Sequence, residues 1–369
     1  MKIGLYGPLL FQLAVGLRDI GQHDVRFLIN RSNPSLAGGM RDEPELSDPD
    51  FTEVEDWERR SSLLTPDVSA LARRLGEFDV ALLSDVGAVF GPGSRKPYAF
   101  VPSGYDLTAL PFPWRSRELR SRGLPDVSAA LLSLLQRRGI AQASTVWASG
   151  FRPFREALER LGLPVPSPED YLPLAFNEGL FRPDFPADSR AGGSERITVF
   201  HPSRFLMAET PFLKSIGRYK GNRVLLEGVA LARSRGTDVR LTLVERVGGD
   251  EASGVRTMIK ELGIGEATTW VSGDSQNGLG HVEMVQRYME SDVVADDFGA
   301  GWFGGVAIEG AACGRPVMNA VDDDVMHNLY PDHPFLTADS GEEVCMRLES
   351  LRDGDYRRQV GEQSARWAL

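Results

Sequence analysis

Residues 301–317 read GWFGGVAIEGAACGRPV, the strongest fold signal in the chain. A glycine-rich turn at 301–305 runs directly into an apolar segment with helical spacing, which ends at Gly314. Such a turn presents backbone N–H groups and the positive end of a helix dipole, which suit a phosphate. Glu309 lies one turn into this helix, where its carboxylate can accept hydrogen bonds from vicinal hydroxyls such as those of a ribose. The stretch predicts a nucleotide site; a tight turn with a solvated Glu309 is the alternative.

The segments around this stretch alternate between short apolar runs and helical patterns. The predicted strands are 2–6, 25–29, 79–83, 98–102, 145–148, 197–200, 239–245, 268–271, 292–295 and 316–319. The predicted helices are 10–20, 127–138, 151–161, 222–234 with Asn222 as its cap, 251–262, 279–290, 305–313 and 356–367. Strands that alternate with helices indicate a parallel sheet covered on both faces. We therefore predict an α/β protein with two Rossmann-like, doubly wound domains facing across a cleft.

Chain length and two proline-rich stretches set the predicted domain boundaries. A chain of 369 residues fits two domains of ordinary size. The stretches 164–173 and 183–193 have the composition of a linker. We predict an N-terminal domain at 1–180, a C-terminal domain at 181–350, and a final helix within 351–369 that packs back toward the N-terminal domain.

Composition excludes several classes of function. Basic residues number 41 against 52 acidic ones, a net charge of −11, which argues against a nucleic-acid partner. The two cysteines, Cys313 and Cys345, lie in apolar surroundings and suggest neither a disulfide framework nor a metal-binding pattern. A spanning helix needs about 20 apolar residues, and no such run occurs. We expect a cytoplasmic protein without integral membrane association; the sequence leaves its oligomeric state open.

Two acidic stretches require an interpretation. Residues 42–58 contain nine acids and no base, which predicts an exposed loop, with an acceptor or lid loop as the alternative. Asp322, Asp323 and Asp324 resemble an acidic metal motif, but they follow a strand and precede no nucleotide turn. We interpret them as a solvated loop and predict no metal site.

A second cluster of candidate residues lies upstream. His201-Pro202-Ser203-Arg204 follows a predicted strand, and 217–221 (GRYKG) precedes a predicted helix. Arg204 and Lys220 could neutralise a diphosphate there. Surface basic residues near a helix start are the alternative, although a cation is mildly unfavourable in that position.

These residues resemble the nucleotide-binding domain of retaining glycosyltransferases with the GT-B fold, in the large family that includes many bacterial mannosyl- and N-acetylglucosaminyltransferases. The resemblance covers about residues 197–320 and is carried by Arg204, Lys220-Gly221, Phe303-Gly304, Glu309 and 312–317 (ACGRPV). The N-terminal half matches less well. It retains Gly7-Pro8, Lys96-Pro97, Gly104, Asp106 and Leu107, with Ser103 where the family has a histidine.

The resemblance implies a site that spans both halves. It implies catalytic roles for Arg204, Lys220 and Asp106. Together with the residue patterns it assigns donor binding to Gly7, Ser103, His201, Arg218, Asp296, Asp297, Phe303, Gly304, Gly305, Val306 and Glu309. Arg218 is the alternative to Arg204 for the single arginine that precedes Lys-Gly in the family pattern. The family has a first acid eight residues before Glu309, where this chain has Gly301; Asp296 and Asp297 are possible substitutes, or solvated acids at a strand end.

The resemblance implies transfer of a sugar from a nucleotide-sugar, UDP- or GDP-linked, to an acceptor hydroxyl or amine with retained configuration. It implies an acceptor-binding N-terminal domain, a nucleotide-sugar-binding C-terminal domain, and neither a resident cofactor nor a catalytic metal. Cations and the amides at 304–306 would meet the charge that grows on the leaving phosphate. We favour a small-molecule acceptor. A non-catalytic nucleotide-sugar-binding protein or an epimerase on the same fold is the alternative.

Overall fold

The computed structural model describes residues 1–37, 39–112, 126–167, 170–171, 173–183, 196–246, 251–272 and 278–369. Its strands are β1 (Lys2–Tyr6), β2 (Asp24–Asn30), β3 (Thr52–Glu55), β4 (Val80–Leu83), β5 (Tyr98–Phe100), β6 (Thr145–Val146), β7 (Arg196–His201), β8 (Asp238–Glu245), β9 (Thr268–Ser272), β10 (Val293–Ala295), β11 (Val317–Asn319) and β12 (Leu336–Thr337). Its α-helices are α1 (Phe11–Asp19), α2 (Arg60–Leu64), α3 (Ala70–Leu75), α4 (Gly91–Ser94), α5 (Tyr105–Thr108), α6 (Asp126–Gln142), α7 (Arg152–Leu161), α8 (Pro211–Ser215), α9 (Asn222–Ser234), α10 (Ala252–Glu261), α11 (His281–Glu290), α12 (Gly305–Ala312), α13 (Asp323–Leu329), α14 (Gly341–Ser350) and α15 (Gly354–Ala368).

Within these residues the strands form two parallel sheets of six strands each. Their orders are β3-β2-β1-β4-β5-β6 and β12-β11-β10-β7-β8-β9, so each sheet has the same arrangement when counted from its own first strand. The strand order reverses between β1 and β4 in the first sheet and between β7 and β10 in the second. This is the doubly wound Rossmann arrangement, in which ligands bind outside the carboxyl ends of the strands at the reversal. The predicted α/β fold with two Rossmann-like sheets is confirmed.

The chain divides into two compact units. The first contains Met1–Leu36 and Glu43–Ala175, and the second contains Ala37–Asp42 and Phe176–Leu369. The final helix α15 belongs to the second unit, where it packs against the end of α12. A Cβ added at Gly361 would lie 2.4 Å from the carbonyl oxygen of Gly314, so the backbones touch there.

The core of the second unit lies on both faces of its sheet. Ile197 of β7 and Leu241 of β8 are fully buried on one face, where helix α9 contributes Leu225 to the same cluster. Phe200 of β7 and Val244 of β8 are buried on the opposite face. Apolar strands of this kind are expected where helices cover both faces of a parallel sheet. Among the residues that the structure describes, no helix combines the length and apolarity that a membrane crossing requires.

The prediction of a loop at 42–58 is wrong in part. Strand β3 lies within it, pairs in parallel with β2 and forms the edge of the first sheet. Phe51 and Trp57, on either side of β3, are buried. The strand itself is polar because it is an edge strand, and Arg74 neutralises Glu53 through paired hydrogen bonds.

Two local predictions in the second unit are also corrected. Asn222 does not cap α9: Gly221 holds the N-cap position with a left-handed φ of 60°, and Asn222 is buried as the first helical residue. Asp322 does not lie in a solvated loop. It caps α13, where its side chain accepts a hydrogen bond from the N–H of Val325 at 3.4 Å.

Candidate functional site

His201 anchors the carboxyl end of β7, at the reversal of the second sheet. Its Nδ1 lies 2.8 Å from the carbonyl oxygen of Ala295, and its Nε2 lies 2.9 Å from the amide nitrogen of Asn222. A carbonyl only accepts and an amide NH₂ only donates, so Nδ1 carries the proton and Nε2 accepts. Burial lowers the pKa of His201 to about 4, which keeps the ring neutral. His201 therefore links β7 to β10 and to the start of α9.

Asp296 continues this network from the end of β10. Its carboxylate accepts a hydrogen bond from the Ser203 hydroxyl at 2.7 Å and a longer one from the N–H of Gly304 at 3.4 Å. Burial, and then repulsion from Asp297, raise the pKa of Asp296. The side chain thus connects the segment after β7 to the glycine-rich turn.

Asp297 reaches a different pair of segments. One carboxylate oxygen forms an ion pair with Lys220 Nζ, and the other accepts the N–H groups of Gly299 and Ala300, each at 2.9 Å. Burial lowers the pKa of Lys220, but the Asp297 and Asp296 carboxylates outweigh burial and raise it above its ordinary value. Lys220 is therefore a protonated cation held by a buried acid.

The Lys220-Gly221 segment lies directly against the segment after β10. An added Cβ at Gly221 would lie 2.5 Å from the carbonyl carbon and oxygen of Phe298. The N–H of Phe298 also donates to the carbonyl of Lys220 at 3.0 Å. Only glycine tolerates both this approach and the positive φ of 60° at Gly221.

The start of α12 offers an anion site. Gly304 is its N-cap residue, and the N–H groups of Gly305 and Val306 have no acceptor within the helix because they precede its first full turn. Glu309 folds back toward this end: its Oε1 lies 3.4 Å from the position of a Cβ on Gly305. Its Oε2 accepts a hydrogen bond from the Tyr288 hydroxyl at 2.9 Å. Burial raises the pKa of Glu309.

Phe303, a predicted donor-binding residue, is buried among aromatic side chains. Its ring contacts those of Trp302, Tyr330, Phe335 and Trp367, with centroids 4.9–5.6 Å apart. The structure thus gives the ring a packing role, which fixes the glycine-rich turn to α15.

Three arginines lie in the segments that follow β7 and β8. Arg204 is exposed, and its charge acts on Lys220; Arg218 is partly buried two residues before Lys220. Sequence reasoning missed Arg246, which follows β8 and donates from Nη2 to the carbonyl of Pro202 at 2.9 Å. The sequence did contain one signal for this residue, because Arg246 directly follows the predicted strand 239–245.

The predicted residues of the first unit gather at the reversal of its own sheet. Gly7 follows β1 with a φ of 110° and lies against Ser84. Asp106 is buried, and its carboxylate accepts the N–H groups of Ser103 and Asp85 at 3.0 Å and of Gly104 at 2.8 Å. Asp106 thus joins the loops after β4 and β5.

The surroundings of Asp106 change the pKa of its carboxyl group. Burial, and then the nearby Asp85 carboxylate, raise the pKa of Asp106 to about 7. The Ser103 hydroxyl donates to Asp85 at 2.6 Å. Asp85 also has a positive φ of 53°, an uncommon backbone conformation for a residue with a side chain.

In the part of the chain that the structure describes, no three His, Cys, Asp or Glu side chains form a cluster suited to a metal ion.

Comparisons with known proteins agree with this architecture. No family model matches the chain. The D-inositol 3-phosphate glycosyltransferase of Segniliparus rotundus is 31% identical over 158 residues, which are 42% of this chain and 32% of that protein. The chain therefore matches about a third of the length of this curated relative.

Two solved structures align with the whole chain. Anabaena HepE in complex with UDP and glucose has a TM-score of 0.64 at 18% identity and is covered over 94% of its length. Sucrose-phosphate synthase from Thermosynechococcus elongatus has a TM-score of 0.62 at 15% identity, with the same coverage. Together with the two six-stranded parallel sheets, these likenesses identify the chain as a GT-B-fold protein that resembles glycosyltransferases.

Proposed function

We propose that the chain is a glycosyltransferase that moves a sugar from a nucleoside-diphosphate sugar to an acceptor hydroxyl or amine. The observation that carries the proposal is the position of Glu309. Its carboxylate folds back beside the open N–H groups at the start of α12, next to the reversal of the second sheet. An anion site and a hydroxyl-binding carboxylate side by side fit a diphosphate joined to a ribose.

The roles of the remaining residues follow from their charges. The N–H groups of Gly305 and Val306 would bind the diphosphate, and Glu309 would accept hydrogen bonds from the ribose hydroxyls. Lys220 and Arg204 lie within electrostatic range of each other and would supply positive charge to the same diphosphate. His201 and Asp296 hold the segments that carry these groups.

Catalysis would rest on electrostatic stabilisation. The bond from the anomeric carbon to the β-phosphate oxygen breaks while a bond to the acceptor forms, and the acceptor proton leaves with the nucleoside diphosphate. Negative charge grows on the β-phosphate, where fixed cations and amides stabilise it most. We propose retention of configuration without a catalytic metal, in line with the resemblance found in the sequence.

The donor and acceptor classes are narrower proposals. The HepE structures hold UDP, UDP-glucose, or UDP with glucose, which favours a UDP-linked donor over a GDP-linked one here. The Segniliparus relative is named for a small molecule, D-inositol 3-phosphate, and we propose a small-molecule acceptor for this chain as well.

Calorimetric titration with UDP, GDP, ADP and dTDP, with and without Mg²⁺, tests the proposal. We expect one of them to bind with a Kd in the micromolar range without metal, and its sugar conjugate to turn over with an acceptor. Failure of all four to bind would overturn the proposal. Binding without transfer to any acceptor would favour a binding protein, and a new sugar product formed without an acceptor would indicate an epimerase.

A further inference from the structure

Asp297 and Lys220 form an ion pair in which the acid is buried and the lysine is partly exposed. The Asp297 side chain is 4% exposed, whereas that of its partner Lys220 is 28% exposed. The lysine is therefore the more accessible member of the pair, and the carboxylate is the enclosed one. The second oxygen of Asp297 holds the N–H groups of Gly299 and Ala300.

These contacts argue against direct sugar binding by Asp297. Both of its oxygens are engaged within the protein, with Lys220 on one side and the 299–300 backbone on the other. The acid at the position of Gly301 is missing, but Asp297 is too enclosed to replace it. Its contacts instead determine where the lysine lies and how the loop after β10 turns.

The ion pair also changes the field that a phosphate would meet. In a partly buried site, a unit charge within a few ångströms of a phosphate acts on it more strongly than in bulk water, because the effective dielectric constant is lower. The carboxylate of Asp297 therefore cancels much of the attraction that Lys220 alone would exert on a diphosphate. Asp296 adds a second buried acid close to Lys220.

We propose that Asp297 is a positioning residue that orients Lys220 and offsets its charge, so that the site holds a nucleoside diphosphate less tightly than a free lysine would. This inference rests on the proposed function. Weaker binding of the ground state and of the product leaves more of the interaction for the transition state. It also favours release of the nucleoside diphosphate, a step that limits turnover in many enzymes.

Asp297→Asn tests this inference because it removes the charge and keeps an oxygen that can accept from Gly299 and Ala300. We expect the nucleoside diphosphate that binds the unaltered protein to bind the variant about tenfold more tightly by calorimetry. The affinity for the corresponding nucleoside should not change. A residue with only a structural role would weaken both ligands or neither.

Glu342→Gln is the matched control. It removes one acidic charge from an exposed pair with Arg235, just after the far end of α9. Since α9 has 13 residues, this pair lies roughly 20 Å from Lys220 at 1.5 Å per residue. The affinity for the nucleoside diphosphate should stay within about twofold in this variant, because solvent and salt screen the change.

The outcomes separate the two proposals. Failure of the unaltered protein to bind any nucleoside diphosphate would overturn the proposed function. Binding by the unaltered protein, with equal or weaker binding by Asp297→Asn, would overturn only the present inference.

A double variant covers the case in which Asp297→Asn does not fold. Lys220→Met with Asp297→Asn removes both charges and keeps the oxygen that accepts from Gly299 and Ala300. We expect diphosphate affinity within about threefold of the unaltered protein and kcat lower by about 100-fold. A larger loss of diphosphate affinity would show that Asp297 does not offset the charge of Lys220 and would overturn the inference.

Discussion

The hydroxyl of Tyr288 donates a 2.9 Å hydrogen bond to the carboxylate of Glu309, and this contact joins helix α11 to helix α12. Tyr288 is fully buried, and its ring packs edge-on against Phe200 of β7. The packed ring has little freedom to move. Helix α11 therefore determines the direction in which the Glu309 carboxylate points.

Substitutions at this pair should weaken nucleotide binding by different amounts. Glu309→Ala removes the proposed ribose acceptor and should cost about 1–3 kcal/mol of binding free energy. Tyr288→Phe leaves the carboxylate in place but free to turn, and should raise the Kd roughly threefold to tenfold. Calorimetry with the preferred nucleoside diphosphate measures both. Inorganic pyrophosphate, which has no ribose, is the control ligand; an unchanged nucleotide Kd in Glu309→Ala would refute the ribose assignment.

The neutral state of His201 predicts a pH dependence of stability. Its pKa in the folded protein is about 4, against about 6.5 in an unfolded chain. The unfolded state binds the proton first as the pH falls, so stability is complete above pH 6.5 and declines toward pH 4. From pH 7.5 to pH 5, the unaltered protein should lose about 2 kcal/mol more free energy of unfolding than His201→Gln. Urea unfolding at the two pH values measures this, and equal losses would contradict the assignment.

Asp106 should matter for stability more than for chemistry. Asp106→Ala leaves the backbone N–H groups of Ser103, Gly104 and Asp85 without their acceptor, which should lower the free energy of unfolding by roughly 2–4 kcal/mol. Asp106→Asn retains one acceptor oxygen and should lose less than half as much. Turnover by the Asn variant should stay within about tenfold. A loss of turnover of about 100-fold at unchanged stability would instead make Asp106 a catalytic residue.

The backbone contact at Gly221 predicts a large effect from one methyl group. Gly221→Ala combines a left-handed φ of 60° with a Cβ only 2.5 Å from Phe298. Gly263→Ala is the matched control, because Gly263 has a similar φ of 68° and no atom within 4 Å of its Cβ position. The control should cost about 1 kcal/mol through backbone conformation alone. Gly221→Ala should lower the free energy of unfolding, measured in urea, by at least about 2 kcal/mol more than the control. Equal losses would mean that the backbone at Phe298 can move away from the added methyl group.

The strands that could be predicted from the sequence are mostly the central ones, whose buried positions carry apolar residues. Strand β7 was predicted from the largely apolar run 197–200, and strand β8 from apolar residues that alternate with polar ones over 239–243. Strand β3 was missed because an edge strand has one solvated side, and its acids at Glu53 and Glu55 gave the composition of a loop. Strand β12 was missed because its two residues carry almost no pattern.

The candidate residues were recognised from spacing, but their partners could not be. Nothing in the local sequence relates Lys220 to Asp297, since 77 residues separate them and only the sheet order brings them together. Asn222 was predicted as a helix cap because of its position, whereas its side chain binds His201 and the Arg204 carbonyl. Such pairings depend on tertiary distances, which hydrophobic periodicity does not encode.

The adjacency of β7 and β10 has a consequence for refolding. His201 and Ala295 are 94 positions apart, and the chain between them must form β8 and β9 on the other side of β7. Contacts of such long sequence separation form slowly, because a large loop must close before they become favourable. A chain diluted from denaturant should regain its helical circular dichroism before it regains affinity for nucleotide. The recovery of nucleotide binding would therefore report when β7 and β10 have paired.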